Sequence, residues 1–227
     1  DEWYDQAVAG TTGGYQGERK LWTWGLTEAG SLGLNAGGDP GNQKRSSPTQ
    51  IPGTTWSQIS STSYKSGGAI KTDGTLWAWG KNEQGKLGLN QTFPSGRRSS
   101  PCQVGTDTTW SSAEFQSTVC DFENSTYWIK TDGTMYAWGY NPEGQLGQND
   151  KTSRSSPTQI PGTTWSKLGG LSQGCSAIKT DGTLWTWGGN DAGRLGHNNT
   201  TKYSSPKQVP GTWTICNGSQ SGSFGIK

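Results

Sequence analysis

His197 is the sole histidine in the 227-residue chain, so a nucleophile activated by an imidazole could only be assembled around it. Its position speaks against that chemistry. It fills the variable place of a recurring Leu-Gly-x-Asn loop, where the other copies carry Leu34, Leu89 and Gln148. Carboxylates also recur in register, as Glu28, Glu83 and Asp191, each in a tight loop ahead of a glycine. One carboxylate per copy sets them at separate sites, not as the facing pair that acid-base hydrolysis requires, and turn formation accounts for the residue type. Asn82, Asn141 and Asn190, with Thr27 in the remaining copy, have side chains suited to bonding the backbone of the same loops. Cys102, Cys120, Cys175 and Cys216 show no Cys-x-x-Cys spacing and, beside a single histidine, form no zinc framework. Cys216 stands where other copies have Ile59 and Leu168 and is read as a small apolar residue, while a Cys120–Cys175 disulfide is an open pairing. Calcium loops and glycine-rich phosphate loops are absent from the sequence. The expectation is a protein with no catalytic residues, no cofactor and no metal, and hence not an enzyme.

What recurs is scaffold. Leu21-Trp-Thr-Trp-Gly25, Leu76-Trp-Ala-Trp-Gly80, Met135-Tyr-Ala-Trp-Gly139 and Leu184-Trp-Thr-Trp-Gly188 follow one another at intervals of about fifty residues, the range of propeller blades and solenoid units. Within a copy the signals are those of short strands. Ala69-Ile70-Lys71 and Leu76-Trp-Ala-Trp flank Thr72-Asp73-Gly74-Thr75, and Asp-Gly between apolar runs marks a tight hairpin. A further strand starts at a lone tryptophan (Trp56, Trp110, Trp165, Trp213), and another follows Ser-Ser-Pro, where proline suits a sheet edge. No stretch carries a 3.6-residue apolar period, and glycine or proline interrupts nearly every window, which excludes long helices. Four short strands per copy predict an all-β chain, a β-propeller of about four to five four-stranded antiparallel blades. The chain is read as a single propeller domain over 1–227, with blade units at 1–52, 53–105, 106–161 and 162–209 and a half-unit at 210–227.

The pattern Trp-Gly-x-Asn-x-x-Gly-x-Leu-Gly, at Trp79 to Gly88, Trp138 to Gly147 and Trp187 to Gly196, together with the Ala-Ile-Lys-Thr-Asp-Gly-Thr hairpin, resembles the regulator of chromosome condensation repeat. The resemblance covers essentially the whole chain. It implies a propeller ring, and full-ring members of that family look seven-bladed, whereas this chain has four Trp-Gly motifs. Trp3 to Gln16 is a degenerate first copy, and Phe224-Gly225-Ile226-Lys227 falls in the middle of a unit. Either a small ring closes by strand exchange or the sequence is part of a longer chain, and the second reading is preferred. The founding activity of the family, nucleotide exchange on a small nuclear GTPase bound to chromatin, fits poorly. The family-like histidine ahead of Ala-Ile is missing from Ser66-Gly67-Gly68, Ser125-Thr126-Tyr127 and Gly174-Cys175-Ser176.

Hydrophobic residues make up only 28% of the chain, yet 13 residues are Trp and 36 are Gly, so the core must be built from few large rings set among close backbone approaches. Net charge is +2 without a long basic run, which disfavours nucleic acid as a partner. No apolar segment is long enough to span a membrane.

In a repeat protein, residues that break register are the informative ones. The stretch from Trp110 to Lys130 is longer than its counterparts and brings an insert of aromatics and carboxylates. Phe115, Phe122 and Glu123 in that insert, with Tyr127 and Trp128 beside it, are the candidate protein interface, since interfaces concentrate aromatic anchors rimmed by charge. Arg45, Arg98, Arg154 and Lys202, ahead of or within the Ser-Ser-Pro segments, are a candidate ring for an anionic partner. The function expected is a structural or protein-interaction module, a phage virion component (capsid decoration or tail appendage) or an extracellular surface protein. Its partners would be other proteins in a larger assembly, with a homo-oligomer open. A secreted propeller that binds or inhibits an enzyme is the alternative.

Overall fold

The computed structural model describes residues 18–35, 43–60, 65–91, 97–110, 124–219 and 222–227. They form five antiparallel sheets in sequence order. β1 (Trp22–Thr27) and β2 (Gln43–Gln50) make a two-stranded sheet. β3 (Trp56–Ser60), β4 (Ser66–Lys71), β5 (Leu76–Gly80) and β6 (Arg98–Gln103) make a four-stranded one. β7 (Ser125–Ile129), β8 (Met135–Gly139) and β9 (Arg154–Gln159) follow, with an isolated bridge between Trp110 and Lys130 at the place of the first strand. β10 (Trp165–Leu171), β11 (Gly174–Lys179), β12 (Thr183–Gly188) and β13 (Tyr203–Thr212) form the second four-stranded sheet. β14 (Ile215–Gly218) and β15 (Ser223–Ile226) pair alone. The fold is all-β, and its sheets are propeller blades. β10 lies against β14, so the strands that begin these two successive sheets are neighbours. β13 runs to Thr212, beyond the boundary expected at 209.

Local chemistry fixes each blade. In the hairpin between β4 and β5, the Asp73 carboxylate accepts bonds from the Thr75 amide (3.0 Å) and hydroxyl (2.6 Å), while Trp77 Nε1 donates to that hydroxyl at 2.8 Å. Asp132 with Thr134 and Asp181 with Thr183 repeat the arrangement. Those side-chain bonds hold all three carboxyls below their ordinary pKa. The strand register then shifts at the Trp-Gly step, between Ala78 and Gly80 and again between Ala137 and Gly139. Glycine is required there: Gly80 has φ +100°, and an added Cβ would lie 2.4 Å from the Lys65 carbonyl oxygen.

The core lies between blades. Leu21 and Ile51 of the first sheet pack on Trp56, Ala69 and Trp79 of the second. Ile70, Leu76, Leu87 and Val104 of the second pack on Trp110, Trp128 and Trp138 of the third. Tyr127, Met135 and Ile160 of the third meet Trp165, Leu168 and Trp187 of the fourth. Each blade buries its faces only against its neighbours, the energetics of a repeat array.

Candidate functional site

The loop asparagines that recur in three of the copies are turned inward. Asn141 is fully buried; its Oδ1 accepts the Leu146 amide at 2.8 Å and its amide donates to the Asp150 and Thr152 carbonyls at 3.1 Å. Asn82 and Asn190 do the same for Leu87 and Leu195. These bonds close the loops that carry Glu83, Glu143 and Asp191, so the loops are structural in the way their residue types indicate. Their carboxylates form ion pairs: Glu83 with Lys81, Glu143 and Asp191 both with Lys202, and Glu28 with Lys65 of the next blade. His197 Nε2 lies 2.9 Å from the Thr186 hydroxyl and its ring meets Tyr203 edge-on at 5.2 Å. Partial burial, then the Lys207 charge, depress its pKa below 6.5. Among the described residues no cluster of histidine, cysteine and carboxylates could hold a metal ion, and no helix is long and apolar enough to cross a membrane.

Tyr127 and Trp128 do not form an exposed interface. They are 1% and 4% exposed, and their strand positions, held by small residues elsewhere, turn them to opposite sides of the third blade. Tyr127 enters the cluster shared with the fourth blade and its hydroxyl donates to the Gln145 carbonyl at 2.5 Å. Trp128 enters the cluster shared with the second. Successive residues of a strand face opposite ways, so an aromatic pair in a blade flanked on both sides becomes two pieces of core. Phe115, Phe122 and Glu123 lie outside the described residues, as does Cys120 of the Cys120–Cys175 pairing; Cys175 itself is buried in the core.

Arg45, Arg98 and Arg154 occupy equivalent places in the outer strands, opposite Gly25, Gly80 and Gly139, and Lys202 immediately precedes the equivalent Tyr203. The structure therefore spaces them one blade apart and does not bring them together. Arg154 pairs with Asp150 at 2.6 Å, Lys202 is held between Glu143 and Asp191, Arg98 bonds Gln91, and Arg45 is exposed. Local carboxylates thus neutralise Arg154 and Lys202.

Two features escaped the sequence reading. The lysine that ends each Ile-Lys strand lies between aromatic rings, Lys71 over Trp56 and Trp77 (5.1 and 4.1 Å), and Lys179 over Trp165 and Trp185 (4.8 and 4.7 Å). Its exact recurrence was the available signal. The other is a set of exposed large apolar side chains in the first and last of these sheets: Trp22, Trp24 and Leu26 on β1, and Ile215, Phe224 and Ile226 on β14 and β15.

Successive antiparallel blades with interdigitated tryptophans define a propeller built from a single repeat type. The model of the regulator of chromosome condensation (RCC1) repeat matches residues 73–118, 132–167 and 181–214, more than half of the chain. The chain belongs to that family. It is 34% identical over 92 residues to the human probable E3 ubiquitin-protein ligase HERC3, covering 40% of this chain and 8% of that protein. It is 36% identical over 92 residues to human protein RCC2, covering 40% of this chain and 16% of the relative. Among solved structures, human WBSCR16 matches with a TM-score of 0.70 at 21% identity, over 91% of this chain and 53% of that one. Prp20p from Saccharomyces cerevisiae, described with its binding properties to Gsp1p and histones, matches with a TM-score of 0.71 at 14% identity, over 92% and 52%. The chain thus spans about half the length of these solved propellers and a far smaller share of the curated relatives.

Proposed function

We propose that the chain is a protein-interaction scaffold displayed on a virus particle or outside a cell, its rigid blades holding variable loops against partner proteins. The observation that carries this reading is where the repeated polar groups go: the asparagines, hairpin aspartates and sandwiched lysines are all occupied by the blade itself. The differences in length between copies lie in loops, the part of a repeat array free to specialise. Prp20p is described as binding Gsp1p and histones, and yeast RCC1 has been solved with Kap60 bound, so the fold supports protein recognition in those relatives. The surface rich in Ser, Thr, Asn, Gln and Gly favours the particle or extracellular setting. Mass spectrometry of purified particles, culture supernatant and cell lysate from the source should find the chain enriched in the first two. Recovery from the cell interior alone refutes that placement. An exchange assay with fluorescent GDP on Gsp1 should show no acceleration, and a catalysed release would replace this reading with that of an exchange factor.

A further inference from the structure

Positions of one copy that depart from the repeat together, and meet in space, make a site that the other copies lack. The fourth blade has such a place. Tyr203 stands where the second and third blades have Arg98 and Arg154, Lys207 where they have Cys102 and Thr158, and Thr186 where they have Ala78 and Ala137. His197 replaces Leu89 and Gln148 in the adjoining loop. The structure brings all of these side chains into one cluster.

In the other blades this slot holds a cation that donates. Arg154 gives a hydrogen bond to Asp150 at 2.6 Å, and Arg98 gives one to Gln91; the carbonyl of each partner receives the loop asparagine. In the fourth blade the polarity is reversed. Asn199 holds the partner's place, and its Oδ1 accepts the Thr201 amide at 2.9 Å, so its amide nitrogen faces Tyr203, 3.2 Å from the phenolic oxygen. Lys207 restores the positive charge from further along β13, its ammonium donating to the same oxygen at 2.8 Å. The phenolic oxygen is thus met by donors, one of them charged, and such bonds are stronger to a phenolate than to a phenol. Lys207 first, then Asn199, bring the Tyr203 pKa below its ordinary value of 10. The ring is held as well. The Lys207 ammonium lies 4.2 Å from its centroid, and His197 meets it edge-on at 5.2 Å. His197 is itself fixed: the Thr186 hydroxyl donates to the Leu195 carbonyl at 2.7 Å and is left to accept from Nε2 at 2.9 Å. Lys207 and His197 are the titratable groups beside the phenol. Tyr127 is the contrast, buried and giving its own proton to the Gln145 carbonyl at 2.5 Å, a bond that favours the neutral form.

We propose that Tyr203 is a nucleophilic tyrosine, a site of the fourth blade at which electrophilic acyl and sulfonyl donors become covalently attached. The phenolic proton passes to solvent, and the phenolate oxygen attacks the carbonyl carbon or the sulfur. The new C–O or S–O bond replaces the bond to the leaving group, which departs with its electron pair. A phenol at neutral pH reacts through its small ionised fraction, so donors that stabilise the phenolate raise the rate. Lys207 and Asn199 are positioning residues that act through Tyr203. The phenol stands at the surface, within reach of a donor, since Asn199, Thr201 and Lys207 around it are exposed.

Timed labelling of the folded chain with an arylsulfonyl fluoride, read by peptide mass spectrometry, tests this. Near neutral pH the Tyr203 sulfonate ester should form about fivefold faster than that of Tyr140, or better, with Tyr127 unlabelled. Tyr203→Phe should remove the modification at that position with the circular dichroism spectrum unchanged. Lys207→Met should slow labelling of Tyr203 by about threefold or more and move its rate profile to higher pH, and Lys207→Arg should restore both. Labelling of Tyr203 no faster than that of Tyr140, a pH profile unmoved by Lys207→Met, or a label that settles on Lys207 in place of Tyr203 overturns the proposal.

Discussion

Trp138→Ala should destabilise the chain by about 4 kcal/mol, within the ~3–5 kcal/mol range for truncating a buried indole. The side chain is 1% exposed, its Nε1 donates to the Lys86 carbonyl at 2.9 Å, and its ring meets Trp110 edge-on at 6.1 Å. About 1 kcal/mol of the cost is the hydrogen bond, kept from being larger because the Thr126 hydroxyl also donates to the Lys86 carbonyl at 2.9 Å. The rest is lost burial and a cavity that cannot collapse, since one wall is the backbone at Gly88, where an added Cβ would stand 2.9 Å from the indole nitrogen. Trp24 occupies the same place in the same motif but is 63% exposed, so Trp24→Ala should change stability by no more than about 0.5 kcal/mol. Urea unfolding followed by circular dichroism, with equal m-values, reads the difference. A cost below about 1 kcal/mol at Trp138, or equal costs at the two positions, would refute the account of packing between blades.

Gly144→Ala should cost more than Gly193→Ala: both have positive φ (+76° and +70°), but only Gly144 has backbone within 2.6 Å of the new Cβ, and thermal midpoints of the two variants decide it. Trp187→Phe should be about 1 kcal/mol worse than Trp165→Phe, because Trp187 Nε1 donates to Gln145 at 2.7 Å whereas Trp165 Nε1 is buried without a hydrogen-bond partner; equal losses would contradict this. The Lys130 ammonium, then the Thr109 hydroxyl, hold the Asp107 carboxyl at about 2. That is below its unfolded value of about 3.9, so its stabilisation is complete above the unfolded value and is lost as pH falls through the folded one. Asp107→Asn should therefore flatten the acid limb of a stability profile, and an unchanged limb would assign acid sensitivity to other carboxylates.

The blade was legible in the sequence because its interactions are local. Asp73 bonds a residue two positions on and Asn141 a residue five positions on, so residue types at fixed spacing specify the hairpin and the loop before any distant contact forms. Proline in the outer strand marked the sheet edge for the same reason: a missing amide is tolerable only where no ladder partner needs it. Which side of a blade is covered is not local. Trp24 and Trp138 stand in the same motif, yet one is exposed and the other buried, because the Lys86 loop of the second blade receives the Trp138 indole. Tyr127 and Trp128 looked like anchors for a partner and became core, since the neighbouring blades already occupy both faces. The charge of Lys202 is likewise met by Glu143 of the adjacent blade, a pairing that no sequence spacing announces. Short-range hydrogen bonds made the repeat; burial and ion pairing between repeats depended on which blades stand side by side, and only the tertiary structure decided that.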